Sequence, residues 1–349
     1  MGKKIYIIIT VFLLMLVAGC QNSQMEKEGE EGQGEKLNVY TTVYPLQFIT
    51  KQIGGDSVDV KTIYPPGSDE HTYEPSQRDM INLADSDLFL YIGLGLESFV
   101  GKAESTLKNE HVTLAPVGED LLVTEEVAHE DHNHGEEEAD SHAEATHEEH
   151  NHGEEEADNH AEATHEEHDN QGHDHGDVDP HVWIDPVLMK ELASNVLVSM
   201  TEKMPEQKQA FEKNYQSLAK ELDKLDVQFK EIAENAKRKK IIVPHAAYGY
   251  WELRYGIEQI AISGLSSANE PSQKKLQSII DVIKEEQVPY ILFEQNSHSK
   301  LADVVRKETK VEALHIHNLA VLTEKDIKNK DDYLTLMERN LKVLEKALN

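Results

Sequence analysis

A single cysteine, Cys20, stands in a chain of 349 residues. No internal disulfide can form in such a chain, so its folded parts must hold together by packing alone. Basic residues are also scarce: 34 Lys and Arg face 66 Asp and Glu, a formal charge of −32 at pH 7. That balance argues against a nucleic-acid partner, because phosphate contact needs a basic surface. The apolar run from Ile5 to Ala18 is broken by Thr10 and falls short of the ~20 residues of a spanning helix. Lys3 and Lys4 precede it and a small-small-Cys step, Ala18-Gly19-Cys20, closes it, the layout of a secretory signal rather than a membrane anchor helix. The metallohydrolase spacing HExxH is absent as well. HEEH at His147 and at His165 cannot put two ligands on one helix face, and HDHGD (His173, His175, Asp177) has Val178 where a dinuclear hydrolase would place a further histidine. An exported zinc hydrolase is therefore the weaker reading.

The negative charge is concentrated. Residues 129–179 hold twenty Asp and Glu with no Lys or Arg, which accounts for −20 and leaves −12 for the rest. Twelve of the nineteen histidines fall in the same stretch: His129, His132, His134, His142, His147, His150, His152, His160, His165, His168, His173 and His175. HEDHNHGEEEADSHAEAT is followed by HEEHNHGEEEADNHAEAT and a partial third copy. Imidazoles beside carboxylates make a flexible multidentate site for borderline divalent metals, zinc above all. With almost no large apolar side chains, residues 129–178 are expected to be disordered without metal. The rival reading is an expanded low-complexity tract with no task. An acidic loop also draws cations toward any site beside it.

The rest of the chain alternates strands and helices. Leu37–Val43, Val58–Ile63 and Leu88–Ile92 read as strands, and the segments from Leu46 to Ile53 and from Ser76 to Ala84 as helices. Helices are predicted over Val187–Met200 and from Pro205, the second carrying Phe211, Tyr215, Leu218, Leu222, Leu225, Phe229 and Ile232 in one apolar stripe. A stripe of more than six turns suits a strut between two lobes, the alternative being an ordinary helix packed on a sheet. A second alternating set then runs through strands at Lys240–Val243, Ile260–Ile262, Tyr290–Phe293 and Val311–Ile316, with helices between them and a last helix to Leu348. The class is α/β: two Rossmann-like lobes with parallel sheets, ligands binding at the strands' carboxyl ends. Residues 37–205 form the amino-terminal lobe, 206–236 the linking helix and 237–349 the carboxyl-terminal lobe.

Seven histidines lie outside the repeat. His71 in GSDEHTYEPS, His181 in DPHVWIDP and His245 in VPHAAYGYW each sit where a helix is about to begin, the junction at which such folds place ligands. One such histidine alone is more often structural; three at equivalent places point to a metal. His111 reads as a surface residue, and His315 and His317, on one face of a strand, as core or wall.

Leu16-Val17-Ala18-Gly19-Cys20 resembles a bacterial lipobox, with Val17 where Leu is more usual. It implies a leader over residues 1–19, acylation of Cys20, and a polar tether over 20–36. GSDEHTYEPS, DPHVWIDP and VPHAAYGYW behind that lipobox resemble the zinc-binding members of the metal-specific solute-binding lipoproteins of ABC transporters, over the whole mature chain except the repeat. The resemblance implies Zn²⁺ held in a cleft between the lobes by His71, His181, His245 and a carboxylate from a loop late in the second lobe. Glu324 in AVLTEKD matches best, Glu294 in ILFEQNSHS is its rival, and water is a third option. It also implies an extracytoplasmic, membrane-anchored monomer with no enzymatic activity. Its partners would be a permease and a cytoplasmic ATPase, with the repeat gathering zinc at lower affinity. Related manganese binders carry a carboxylate where His245 stands, which favours zinc. A broader divalent-metal receptor of the same fold, or an added role in adhesion, are the alternatives.

Overall fold

The computed structural model of the chain describes residues 36–121, 178–266, 271–295 and 299–349. Residues 1–35, which include the expected leader and Cys20, and the twelve histidines of the repeat lie outside the described residues.

The first sheet is made of four short parallel strands, β1 (Leu37–Thr41), β2 (Val58–Thr62), β3 (Leu88–Tyr91) and β4 (Thr113–Pro116), in the order β2-β1-β3-β4. Every residue of β3 is buried, as expected of a parallel strand covered on both faces. Parallel neighbours need crossovers, and here these contain α1 (Tyr44–Gly54), α2 (Gln77–Ala84) and α3 (Val100–Leu107). Proline in its first turn starts α1, and Gly55, in the left-handed region at φ 54°, ends it. α2 opens on a reciprocal pair in which Ser76 caps the Asp79 amide and Asp79 caps that of Ser76.

Two helices then follow in the chain, α4 (Pro186–Lys203) and α5 (Lys208–Asn235). The stripe predicted on α5 is what the structure buries: Phe211, Leu218, Leu222, Leu225 and Phe229 are inaccessible, with Tyr215 and Ile232 half-buried. Each such side chain stabilises the fold by about 1.5–3 kcal/mol. α5 packs on α1 and α4, and also on α6 (Gly249–Tyr255) and α10, the last helix (Tyr333–Leu348). It therefore touches helices associated with both sheets.

The second sheet repeats the plan of the first. β5 (Lys240–Val243), β6 (Glu258–Ala261), β7 (Tyr290–Glu294) and β8 (Glu312–Ile316) are parallel, in the order β6-β5-β7-β8. Its crossovers contain α6, α7 (Gln273–Glu285) and α8 (Lys300–Thr309), and α9 (Glu324–Asn329) precedes α10. Alternation along these strands divides the core. Ile241, Val243 and Leu292 join the main cluster, which runs through the first sheet, α4, α5 and α10. Ile242, Ile291 and Phe293 face the other way, onto Ile279, Ile283, Ala302 and Val305 of α7 and α8. Leu37–Asn349 forms one compact unit, so the main core is shared by the two sheets. Among the described residues no helix is long and apolar enough to cross a membrane. Three elements, α3, β4 and α9, were not predicted from the sequence.

A candidate metal centre

Three loops bring the histidines together. His71 lies in the turn between β2 and α2, where the Asp69 carboxylate accepts from the amides of His71 (3.0 Å) and Thr72 (3.1 Å). His181 immediately precedes a short 3₁₀ turn, Val182–Ile184, which leads into α4. His245 follows β5, one residue after Pro244. His181 and His245 are buried, at 0% and 2% exposure, and His71 is half-buried.

The loop of His181 is held from many sides. Tyr250 donates to the Asp179 carbonyl (2.6 Å), Trp251 to that of Ile184 (2.9 Å) and Tyr333 to that of Trp183 (2.8 Å), while the Trp183 indole donates to the Asn318 carbonyl (2.8 Å). Asp185 caps α4 through the amides of Val187 and Leu188, and its other oxygen pairs with Arg254 of α6. Residues associated with the second sheet thus fix a loop that belongs to α4, at a depth where unpaired polar groups would be costly.

The three rings meet edge to face, with centroids 5.2 Å apart for His71–His181, 5.3 Å for His181–His245 and 5.8 Å for His71–His245. The donor atoms of these histidines and of Glu70, which is 6% exposed, lie within 4.8 Å of one another. Tetrahedral zinc at its usual bond lengths needs donors about 3.4 Å apart, and the Nε2 atoms of His71 and His181 stand at 3.3 Å. Three imidazoles and a carboxylate are the donor set that suits zinc.

Support comes from the other side of two of the rings. Asp179 Oδ1 sits 2.7 Å from His181 Nδ1 and also accepts from the His181 amide, which leaves Nε2 as the outward donor. Glu294 Oε1 lies 2.8 Å from His245 Nδ1, an ion pair when the ring carries its proton, while Nε2 is buried with no hydrogen-bond partner among the described residues. Such an orphaned nitrogen is costly unless something binds it.

The proton states differ sharply. Burial, together with the neighbouring rings of His181 and His245, pushes His71 down to about 3. Burial opposes charge on His245 too, but the carboxylates of Glu294, Glu70 and Asp69 outweigh it and raise the ring to about 9. Burial likewise lifts Glu70 to about 7. His71 therefore offers its lone pair at neutral pH, whereas His245 must lose a proton first.

Glu324 is not brought to this cluster. Thr323 and Asp326 form a reciprocal cap that starts α9 at Glu324, which leaves the Glu324 side chain exposed beside a helix amino terminus. Glu294 is close but stands behind His245, outside the four-residue group. His317 has both nitrogens occupied: Nδ1 accepts from the Leu319 amide (2.9 Å) and Nε2 faces Asp326 (3.2 Å). His315 and His111 are exposed; β8 ends at Ile316, so the alternation expected to set His315 and His317 on one face stops between them. Glu70, Asp179 and Asn318 were not singled out from sequence. The first two flank their histidines within the quoted motifs, a usable signal; Asn318 had none.

The geometry defines an α/β protein of two parallel sheets with a three-histidine, one-glutamate cluster at the carboxyl ends of strands from both. A family model described as zinc-uptake complex component A, periplasmic (ZnuA) matches residues 39–347, and the chain belongs to that family. It is 34% identical over 347 residues to the zinc-binding lipoprotein AdcA of Streptococcus pneumoniae, covering 99% of this chain and 61% of that protein. It is 32% identical over 346 residues to the high-affinity zinc uptake system protein ZnuA of Bacillus subtilis, covering 99% of this chain and 97% of that protein. The chain thus spans 61% of the length of the AdcA relatives it matches. The crystal structure of the Zn(II)-bound ZnuA-like domain of Streptococcus pneumoniae AdcA superposes with a TM-score of 0.65 at 31% identity, over 90% of this chain and 99% of that one. The Streptococcus pneumoniae AdcAII structure superposes with a TM-score of 0.68 at 26% identity, over 90% and 100%.

Proposed function

We propose that this chain is the extracytoplasmic receptor of a zinc importer, and that it catalyses nothing itself. It captures Zn²⁺ between its sheets and delivers the ion to a membrane permease driven by a cytoplasmic ATPase. His71, His181 and His245 are the nitrogen ligands and Glu70 the carboxylate. Glu70 takes the place that sequence had given to Glu324. The observation that carries this reading is the convergence of these four donors, with Nε2 of His245 buried and without a hydrogen-bond partner. Acylated Cys20 anchors a monomer to the cell membrane, and residues 20–36 tether it. Residues 37–205 and 237–349 act as two lobes about the 206–236 helix, and the repeat collects zinc at lower affinity. Family membership and the zinc named in the relatives' descriptions support the cargo.

Replacing His71, His181 or His245 by Ala should each weaken the tightest zinc site by at least about a hundredfold in chelator competition, since a four-donor site loses a ligand. Wild-type affinity in any of the three would remove that residue from the site.

A further inference from the structure

Asn318 lies just past β8, is 6% exposed, and touches Glu70 of the cluster as well as Glu294 behind His245. Its Nδ2 donates to Glu70 Oε1 at 3.2 Å and to Glu294 Oε2 at 3.3 Å. The orientation of this amide is fixed by its neighbours. Oδ1 accepts from the Ala320 amide (3.2 Å), a group that can only donate, and from Gln295 Nε2 (2.6 Å). Gln295 is fixed in turn, because its Oε1 accepts from the Asn318 amide (3.0 Å). The two hydrogens of Nδ2 therefore face the two carboxylates. The Asn318 carbonyl also accepts from Trp183, two residues after His181.

Three of the four proposed ligand residues, Glu70, His71 and His181, precede the long helix α5, and His245 alone follows it. Among the described side chains, Asn318 is the one whose hydrogen bond to the Glu70 carboxylate is seen. We infer that Asn318 is a positioning residue for the metal site, holding the Glu70 carboxylate turned toward the three imidazoles. The inference rests on Glu70 being a ligand. It makes the approach of β8 to the β2–α2 loop part of the binding event: where Asn318 is out of reach, Glu70 is free to turn away and the ion keeps only its nitrogen donors.

The test is a double-mutant cycle on the full chain, with Zn²⁺ in chelator competition reading the tightest site and Co²⁺ visible absorption reading the coordination sphere. Asn318→Ala removes the amide. Asn318→Asp keeps shape and the acceptor toward Ala320 but replaces the donor by a third carboxylate oxygen. Each should lower zinc affinity by about tenfold or more, as loss of an orienting partner does, and alter the Co²⁺ bands. In a Glu70→Gln background the further loss from either variant should shrink to about twofold or less, because partners acting through one group are not additive. Equal losses in both backgrounds would overturn the inference while leaving Glu70 a ligand. Unchanged affinity in Asn318→Ala would overturn it too. If Glu70→Gln alone binds zinc like wild type, while His181→Ala does not, Glu70 is no ligand and the inference falls with it. Thermal melting of the metal-free variants checks folding, and Asn318→Asp serves where Asn318→Ala melts early.

Discussion

His71 and His245 are both buried imidazoles, yet they enter metal binding from opposite proton states. His71, held near 3, is neutral across the physiological range. His245, raised to about 9, holds a proton that zinc must displace, and Glu70, raised to about 7, adds a fractional one. A ring whose metal-free form stays protonated up to about 9 binds metal better as pH rises toward that value, and worse as it falls. Zinc affinity should therefore climb from pH 6 to pH 9 rather than level off just above the ordinary histidine range. Calorimetry at pH 7.5 in buffers of different ionisation enthalpy should show roughly one proton released with the first zinc; no release would contradict the assignment of His245. At this scale the sequence was informative for the histidines, because each stands in a short motif where a helix is about to begin. The carboxylate was harder. Glu324 and Glu294 were weighed by order along the chain, whereas a capping box decides where Glu324 points and a contact between sheets decides what lies beside Glu70.

At the scale of elements, the helix of Gly249 bears directly on the site. α6 begins at Gly249, and a Cβ built there would stand 2.7 Å from Asp179 Oδ2, the carboxylate that orients His181. Contacts that short do not persist, so Gly249→Ala must push either Asp179 or the start of α6 aside. Zinc affinity should fall by about tenfold with a modest loss of thermal stability, measured by chelator competition and melting; an unchanged affinity would show that Asp179 does not set the orientation of His181. The alternating α/β plan and the stripe on α5 were readable because period and length agree over many residues. α9 was not, since a six-residue helix started by the Thr323–Asp326 cap is too short to show a period.

For the molecule as a whole, twelve histidines lie in the acidic repeat and three at the folded cluster. Removal of residues 129–175 takes away most of the negative charge and the twelve histidines of the repeat, but none of the clustered donors. Such a variant should lose most of the zinc bound at high metal concentration and keep one tight equivalent, with slower capture at low ionic strength, as expected when a steering field is removed. Loss of the tight equivalent would mean that the repeat itself supplies it. The shared core also bears on motion. Because the main hydrophobic cluster runs through both sheets and α5, and the His181 loop is tied down by Trp251, Tyr333 and Arg254, opening of the site is expected to be a small displacement of the β2–α2 and β8–α9 loops.

The most direct measurement is anomalous scattering at the zinc edge from crystals of the zinc-loaded protein. The strongest peak should lie about 2 Å from a nitrogen of each of His71, His181 and His245 and from a carboxylate oxygen of Glu70. A principal peak on Glu324, or one confined to the repeat with the three rings left empty, would contradict it.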